Sequence, residues 1–186
     1  MTTAADTVRF TARFWGVRGS LSCPGPEYVR YGGNTSCIEV RCGKHLLILD
    51  GGSGMRPLGQ KLLPESPIDA DIYFTHTHLD HIVGLPFFAP LYQPASNLRL
   101  WAGHLKPRTT LRDAISGMMV EPLFPVPLDV FASKPDYHDF AAGEFARALW
   151  RLHPAVDIPG VVGGSSFPES PVAGCDRSGR DVPRAS

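Results

Sequence analysis

Polar and apolar positions alternate over residues 9–15, the period of a strand with one buried face. Two more apolar runs, 36–41 and 45–49, are joined by Cys42-Gly43-Lys44, which predicts a hairpin. Gly51-Gly52-Ser53-Gly54 lets the backbone turn sharply, and residues 55–63 then suit a short helix. Residues 71–75 read as a strand, and the segment after His81 as a short helix broken near Pro86. Strand character returns at 97–102, and 109–119 is helical, with Thr109 or Thr110 as the cap. Phe124-Pro125-Val126-Pro127 is a loop. Residues 145–152 are ambiguous, because Phe145, Leu149 and Leu152 fit a helix face over a short segment. From 155 to 186 the periodicity disappears. Gly, Pro, Ser and Asp dominate there, Val161, Val162 and Phe167 are the notable apolar points, and little regular structure is expected.

Composition narrows the class. A chain of 186 residues with 43% hydrophobic content has the material for one soluble globular core. Eighteen basic and eighteen acidic residues cancel, so no global field draws it to nucleic acid or to an acidic membrane. No apolar run approaches the roughly 18 residues that span a bilayer. The start, Met1-Thr2-Thr3-Ala4-Ala5-Asp6, lacks the basic and apolar segments of a signal peptide, so a cytoplasmic location and no membrane partner are expected. Cys23, Cys37, Cys42 and Cys175 form no C-x-x-C pair, which disfavours a structural zinc knuckle and favours free thiols.

The chemistry concentrates in Thr75-His76-Thr77-His78-Leu79-Asp80-His81. A lone histidine is ordinarily a surface residue or a satisfied core residue. Here three imidazoles and a carboxylate stand together, between the strand-like Ile72-Tyr73-Phe74 and the apolar run from Ile82 to Phe88. Histidine is the commonest metal-binding side chain, and a carboxylate adds a hard oxygen. On extended backbone His76 and His78 point to the same side and can grip one ion together. If the chain then turns into a helix, Asp80 and His81 project differently and can serve a second ion.

At this point the chain resembles the metallo-β-lactamase fold hydrolases. His76-x-His78-x-Asp80-His81 is similar to their signature, and it follows Leu46-Leu47-Ile48-Leu49-Asp50-Gly51-Gly52-Ser53-Gly54 at the spacing that fold expects. Gly16-Val17-Arg18-Gly19-Ser20, Pro24-Gly25-Pro26-Glu27 and Arg30-Tyr31-Gly32-Gly33-Asn34-Thr35-Ser36-Cys37 resemble a bacterial subgroup near the phosphodiesterase and ribonuclease Z-like branch. The resemblance runs from about Phe10 to His153. It implies an α/β fold of the αββα sandwich type, with a domain over 1–154, an incomplete second half and an irregular tail over 155–186. It also favours a strand at 145–152.

The resemblance implies ligands too. His76, His78 and His153, in Leu152-His153-Pro154, correspond to one ion, and Asp80 and His81 to a second. A bridging aspartate and a last histidine have no clear counterpart. Asp157 and Asp176 follow no apolar strand, and no histidine occurs after His153. Asp50 reads as a partner that orients a ligand or the motif loop, against a plain turn residue. Arg18, Ser20, Asn34 and Ser36 are candidates for the substrate side, with turn chemistry the better reading of each. Zinc, up to two ions, suits the donors best, with manganese or iron as alternatives. The function expected is metal-dependent hydrolysis, most readily of a small phosphoester or cyclic nucleotide through a metal-activated water, with Asp80 as catalytic group. The alternatives are hydrolysis of another ester, thioester or lactam, and a truncated, non-catalytic protein that binds metal or a partner. Nucleic acid stays open as a partner. Uncovered apolar surface on the first half predicts poor stability or self-association.

Overall fold

The computed structural model describes residues 10–141, all within one structural unit. Six strands form one sheet in chain order. They are β1 (Phe10–Gly16), β2 (Cys37–Cys42), β3 (His45–Leu49), β4 (Asp69–Phe74), β5 (Asn97–Ala102) and β6 (Asp136–Asp139). β1, β2 and β3 pair antiparallel, and β3 to β6 pair parallel. The expected hairpin is present, with Gly43 at φ 57 in its tight turn.

Parallel neighbours need crossover connections. Helix α1 (Met55–Leu62) connects β3 to β4, and α3 (Leu111–Met118) connects β5 to β6. The cap of α3 is Thr110, whose side chain accepts from the backbone N–H of Asp113. Alternate strand residues meet these helices. Leu46, Ile48, Ala70, Ile72, Phe74, Leu98, Leu100 and Ala102 share one buried cluster with Met55, Leu58, Leu62, Leu111 and Ile115. The α/β fold class expected from the sequence is the one observed.

The other face of the sheet is mixed. Asp71 is buried there, and its carboxylate is satisfied by Arg99 Nε at 2.7 Å, Arg99 Nη2 at 2.9 Å and Trp101 Nε1 at 2.9 Å. Trp101 stacks on His138 with ring centroids 4.0 Å apart. Phe10 and Phe14, on the edge strand β1, are 68% and 64% exposed.

Three local readings change. The helix at the histidine motif, α2 (Leu79–Ile82), contains Asp80 and His81 instead of following them. Pro86 does not break it; it sits in the first turn of a separate 3-10 turn, Leu85–Phe87, where its missing N–H costs nothing. The turn expected at 51–54 is present, and its glycines also serve close approach. Strand β6 was not expected. Residues 145–152, the boundary near 154 and the tail lie outside the described residues. Among the described residues no helix is long and apolar enough to cross a membrane, and Cys23, Cys37 and Cys42 are free thiols.

Ile72 lies fully buried in the central strand. We expect Ile72→Ala to lower the unfolding free energy by about 3 kcal/mol through lost transfer energy and a residual cavity. Chemical denaturation measures this, and an unchanged midpoint would contradict the packing described.

Candidate metal centre

The site begins with one buried carboxylate. Asp50 follows β3 directly, at φ 61, and its backbone N–H donates to Tyr73 O at 2.8 Å. Its side chain collects donors from three segments. Ser36 Oγ donates at 3.1 Å, the Thr75 backbone N–H and hydroxyl each donate at 2.9 Å, and His81 Nδ1 lies 2.8 Å from Oδ2. The sequence left Asp50 between an orienting role and a turn. The structure shows that it holds both ends of the histidine motif.

These bonds settle the imidazole protons. Thr75 gives its hydroxyl proton to Asp50, so its oxygen accepts from His76 Nδ1 at 3.1 Å. His81 Nδ1 likewise donates to Asp50. A neutral ring at either position then keeps its lone pair on Nε2. The ring of His76 stands 4.0 Å from that of His81 and 4.6 Å from that of His78, centroid to centroid. The three rings of His76, His78 and His81 thus lie together.

Asp80 approaches from the first turn of α2. Its Oδ2 accepts from the backbone N–H of Ser20 at 2.7 Å, and that N–H, followed by the nearby imidazoles, holds the carboxyl below its ordinary range. Ser20 is a non-glycine residue at φ 64. It is the one member of the Arg18, Ser20, Asn34 and Ser36 group that reaches the motif directly. Ser36 acts through Asp50, while Arg18 Nε donates to Gly32 O and Asn34 Oδ1 accepts from Ser53 Oγ within the loops.

Glycines let the motif sit this close. Gly51 N–H donates to His81 O at 2.7 Å, and Gly84 N–H donates to Gly51 O at 2.8 Å. A Cβ at Gly84 would stand 1.9 Å from Gly52 O, and one at Gly52 would stand 2.2 Å from Asp80 O. Both clashes are with backbone, so no side chain at either position fits without moving the loop or the helix.

The donor chemistry fits a cation. His81 Nε2 lies 3.4 Å from Asp80 Oδ2. With Nδ1 donating to Asp50, a neutral His81 ring turns its Nε2 lone pair toward the Asp80 carboxylate, and a cation between the two would draw both. Two bonds of about 2.1 Å at a tetrahedral angle end roughly 3.4 Å apart. Among the described residues, however, no group of three or more His, Cys, Asp or Glu side chains is arranged as a ligand set. His153, Asp157 and Asp176 lie outside the described residues.

Two neighbours were missed by sequence reasoning. His104 follows β5, and its Nε2 lies 3.2 Å from Thr77 Oγ1 within the motif. Burial, then the nearby His76, lowers its pKa. A cavity of about 470 Å³ also opens beside Thr75 and His104, with Leu49, Tyr73 and Phe140 among its lining. Cys37, by contrast, is a packed thiol. Burial, then the Asp50 carboxylate, pushes it up to about 12, so it is no nucleophile near neutral pH.

We expect Asp50→Asn to lose about 2 kcal/mol of stability, because an amide cannot accept from all of these donors at once. Urea denaturation tests this, and a plain turn residue would leave the midpoint in place.

No family model matches this chain, and no curated protein matches it. Solved structures do. A human tRNase Z, short form, is similar at 21% identity and TM-score 0.43, over 70% of this chain and 45% of that protein. A diphosphatase from the PhnP family is similar at 17% identity and TM-score 0.45, over 70% and 51%. A Thermotoga maritima protein, provisionally assigned as a metallo-β-lactamase, is similar at 19% identity and TM-score 0.33, over 54% and 46%. The chain thus spans about half the length of the proteins it matches.

Proposed function

We propose that this chain is a metal-dependent hydrolase of the metallo-β-lactamase type, acting as a phosphodiesterase on a small phosphoester or cyclic nucleotide. The observation that carries the reading is the clustering of the His76, His78 and His81 rings, with Asp80 facing His81. His76 and His78, with His153, would hold one ion, and Asp80 and His81 a second. Zinc suits this set, and manganese or iron would also accept its mixed nitrogen and oxygen donors. When bound, such ions lower the pKa of a coordinated water toward neutrality and stabilise charge on a phosphoryl oxygen.

The protein's own groups do the positioning. Asp50 fixes the His81 ring and Thr75, and Thr75 fixes the His76 ring. The Ser20 N–H keeps Asp80 ionised and in place, ready to bind a cation or orient the attacking water. The cavity beside Thr75 is mostly apolar and offers room for the organic part of an ester.

One observation favours a second reading, a chain that binds metal or a partner without turnover: the ligand set is incomplete among the described residues. Metal content per chain separates the two. Two ions support the full site, one supports partial binding, and none removes the metal reading. The exposed Phe10 and Phe14 on an edge strand support the expectation of self-association.

His76→Ala or His78→Ala is expected to abolish tight zinc binding, while His45→Ala, at the opposite end of β3 from the site, leaves it intact. Elemental analysis after gel filtration checks this, and equal metal in all three variants would falsify the assignment. His104, which looks distant from the motif in sequence, is unsuitable as that control because it touches Thr77.

Asp80→Asn keeps the side-chain shape and removes the charge. We expect turnover of an aryl phosphodiester to fall by at least about 100-fold while thermal melting barely moves. Unchanged turnover from an active parent would remove Asp80 from the mechanism.

A further inference from the structure

We propose that His104 is a positioning residue for the metal-binding histidines: it holds Thr77 from behind, so that His76 and His78 are presented together on the other side. The inference rests on the metal reading of the motif given above. Nothing in the motif's own spacing points to it.

The sheet register places the residue. β4 and β5 run parallel, with Phe74 opposite Ala102. The chain segments that leave these two strands therefore emerge side by side, and the segment 75–78 lies next to Gly103 and His104. Phe140 fixes this exit, because its N–H donates to Ala102 O at 3.0 Å and its ring packs where a Cβ on Gly103 would be, 2.2 Å from a ring carbon. Gly103 thus gives His104 a defined place at the end of β5.

The motif before α2 is extended, with His78 at φ −64 and ψ 151. Successive side chains of extended backbone alternate in direction. The odd positions of this segment are tied down: Thr75 to Asp50, and Thr77 to His104 at 3.2 Å. The even positions, His76 and His78, are left to face a ligand. The two bonds from Thr75 to Asp50 fix the start of the segment and leave Thr77 free to turn. The Thr77–His104 bond removes that freedom at the midpoint between the two histidines.

The ring's other nitrogen supports the assignment. His104 Nδ1 is buried and has no hydrogen-bond partner among the described residues. A bare buried acceptor is tolerated better than a bare buried N–H. The proton therefore sits on Nε2, and the ring donates to Thr77 Oγ1. A neutral donor in that place can steady the motif without adding positive charge beside a cation site.

The test compares the parent with His104→Ala, His104→Gln, Thr77→Val and the double variant of His104→Ala with Thr77→Val. Glutamine carries an amide donor near the position of the ring Nε2. Zinc affinity is measured by competition with a chelator, and the His76 and His78 ring resonances of the metal-free protein by long-range nitrogen–proton NMR. We expect His104→Ala and Thr77→Val each to weaken zinc binding by about 10- to 100-fold, the range seen when groups behind a metal ligand are removed. His104→Gln should bind zinc nearly as the parent does, and the double variant should be no weaker than the poorer single variant, because one shared bond is lost. The ring resonances should move in His104→Ala and Thr77→Val and stay in place in His104→Gln. The proposal is overturned if zinc affinity and resonances survive His104→Ala, if glutamine fails to rescue, or if the two losses add. Should His104→Ala not fold, Thr77→Val and His104→Gln still decide the matter. A parent that takes up no zinc removes the metal reading instead, and the ring resonances then decide the positioning role alone.

Discussion

The site depends on the carboxylate of Asp50. It is buried, and it accepts from Ser36, Thr75 and His81, residues that come from three separate segments. Burying a carboxylate costs several kcal/mol, and each hydrogen bond to a charged group returns roughly 1.5–3 kcal/mol. These quantities nearly cancel. The main consequence of Asp50 is therefore geometric: it sets the distance between the start of the motif at Thr75 and its end at His81. The glycine contacts complete the tie by letting the backbones of residues 51–52 and 80–84 touch.

The parallel half of the sheet explains why these parts meet. β3 delivers Asp50, β4 delivers the motif, β5 delivers His104 and β6 delivers Phe140, all from the same ends of neighbouring strands. In open parallel sheets these carboxyl ends are where ligands are bound. The apolar face beneath is filled by α1 and α3, so the strands are held rigidly while their exits remain available for polar chemistry.

This arrangement also accounts for what could be read from the sequence. The strands β1 to β5 carry alternating or continuous apolar runs, and their periods show directly in the chain. β6 does not, since Asp136, Tyr137, His138 and Asp139 include one apolar packing residue, Tyr137. Its pairing to β5 and the stacking of His138 on Trp101 are tertiary facts. The histidine motif was legible because its donors are adjacent in sequence. His104 was not, because only the β4–β5 register brings it to Thr77. The 51–54 glycines advertise the turn that is present, but their close packing, of Gly51 and Gly52 against α2 and of Gly54 against the end of β1, is revealed by no local pattern. His153 belongs to the part of the candidate site outside the described residues.

Backbone strain gathers at the candidate site. Among the described residues three non-glycine positions adopt positive φ: Ser20, Asp50 and Lys134. Two of them touch the motif, Asp50 through His81 and Thr75, and Ser20 through Asp80. Each left-handed residue costs about 1–2 kcal/mol, and an ordinary turn would have used glycine. His81 lies between two carboxylates, with Nδ1 donating to Asp50 and Nε2 turned toward Asp80. Strained backbone persists where the surrounding packing enforces it, and such places are functional sites by preference. A cation between Asp80 and a neutral His81 would draw both donors, while the Ser20 N–H and the Asp50 carboxylate hold them in place.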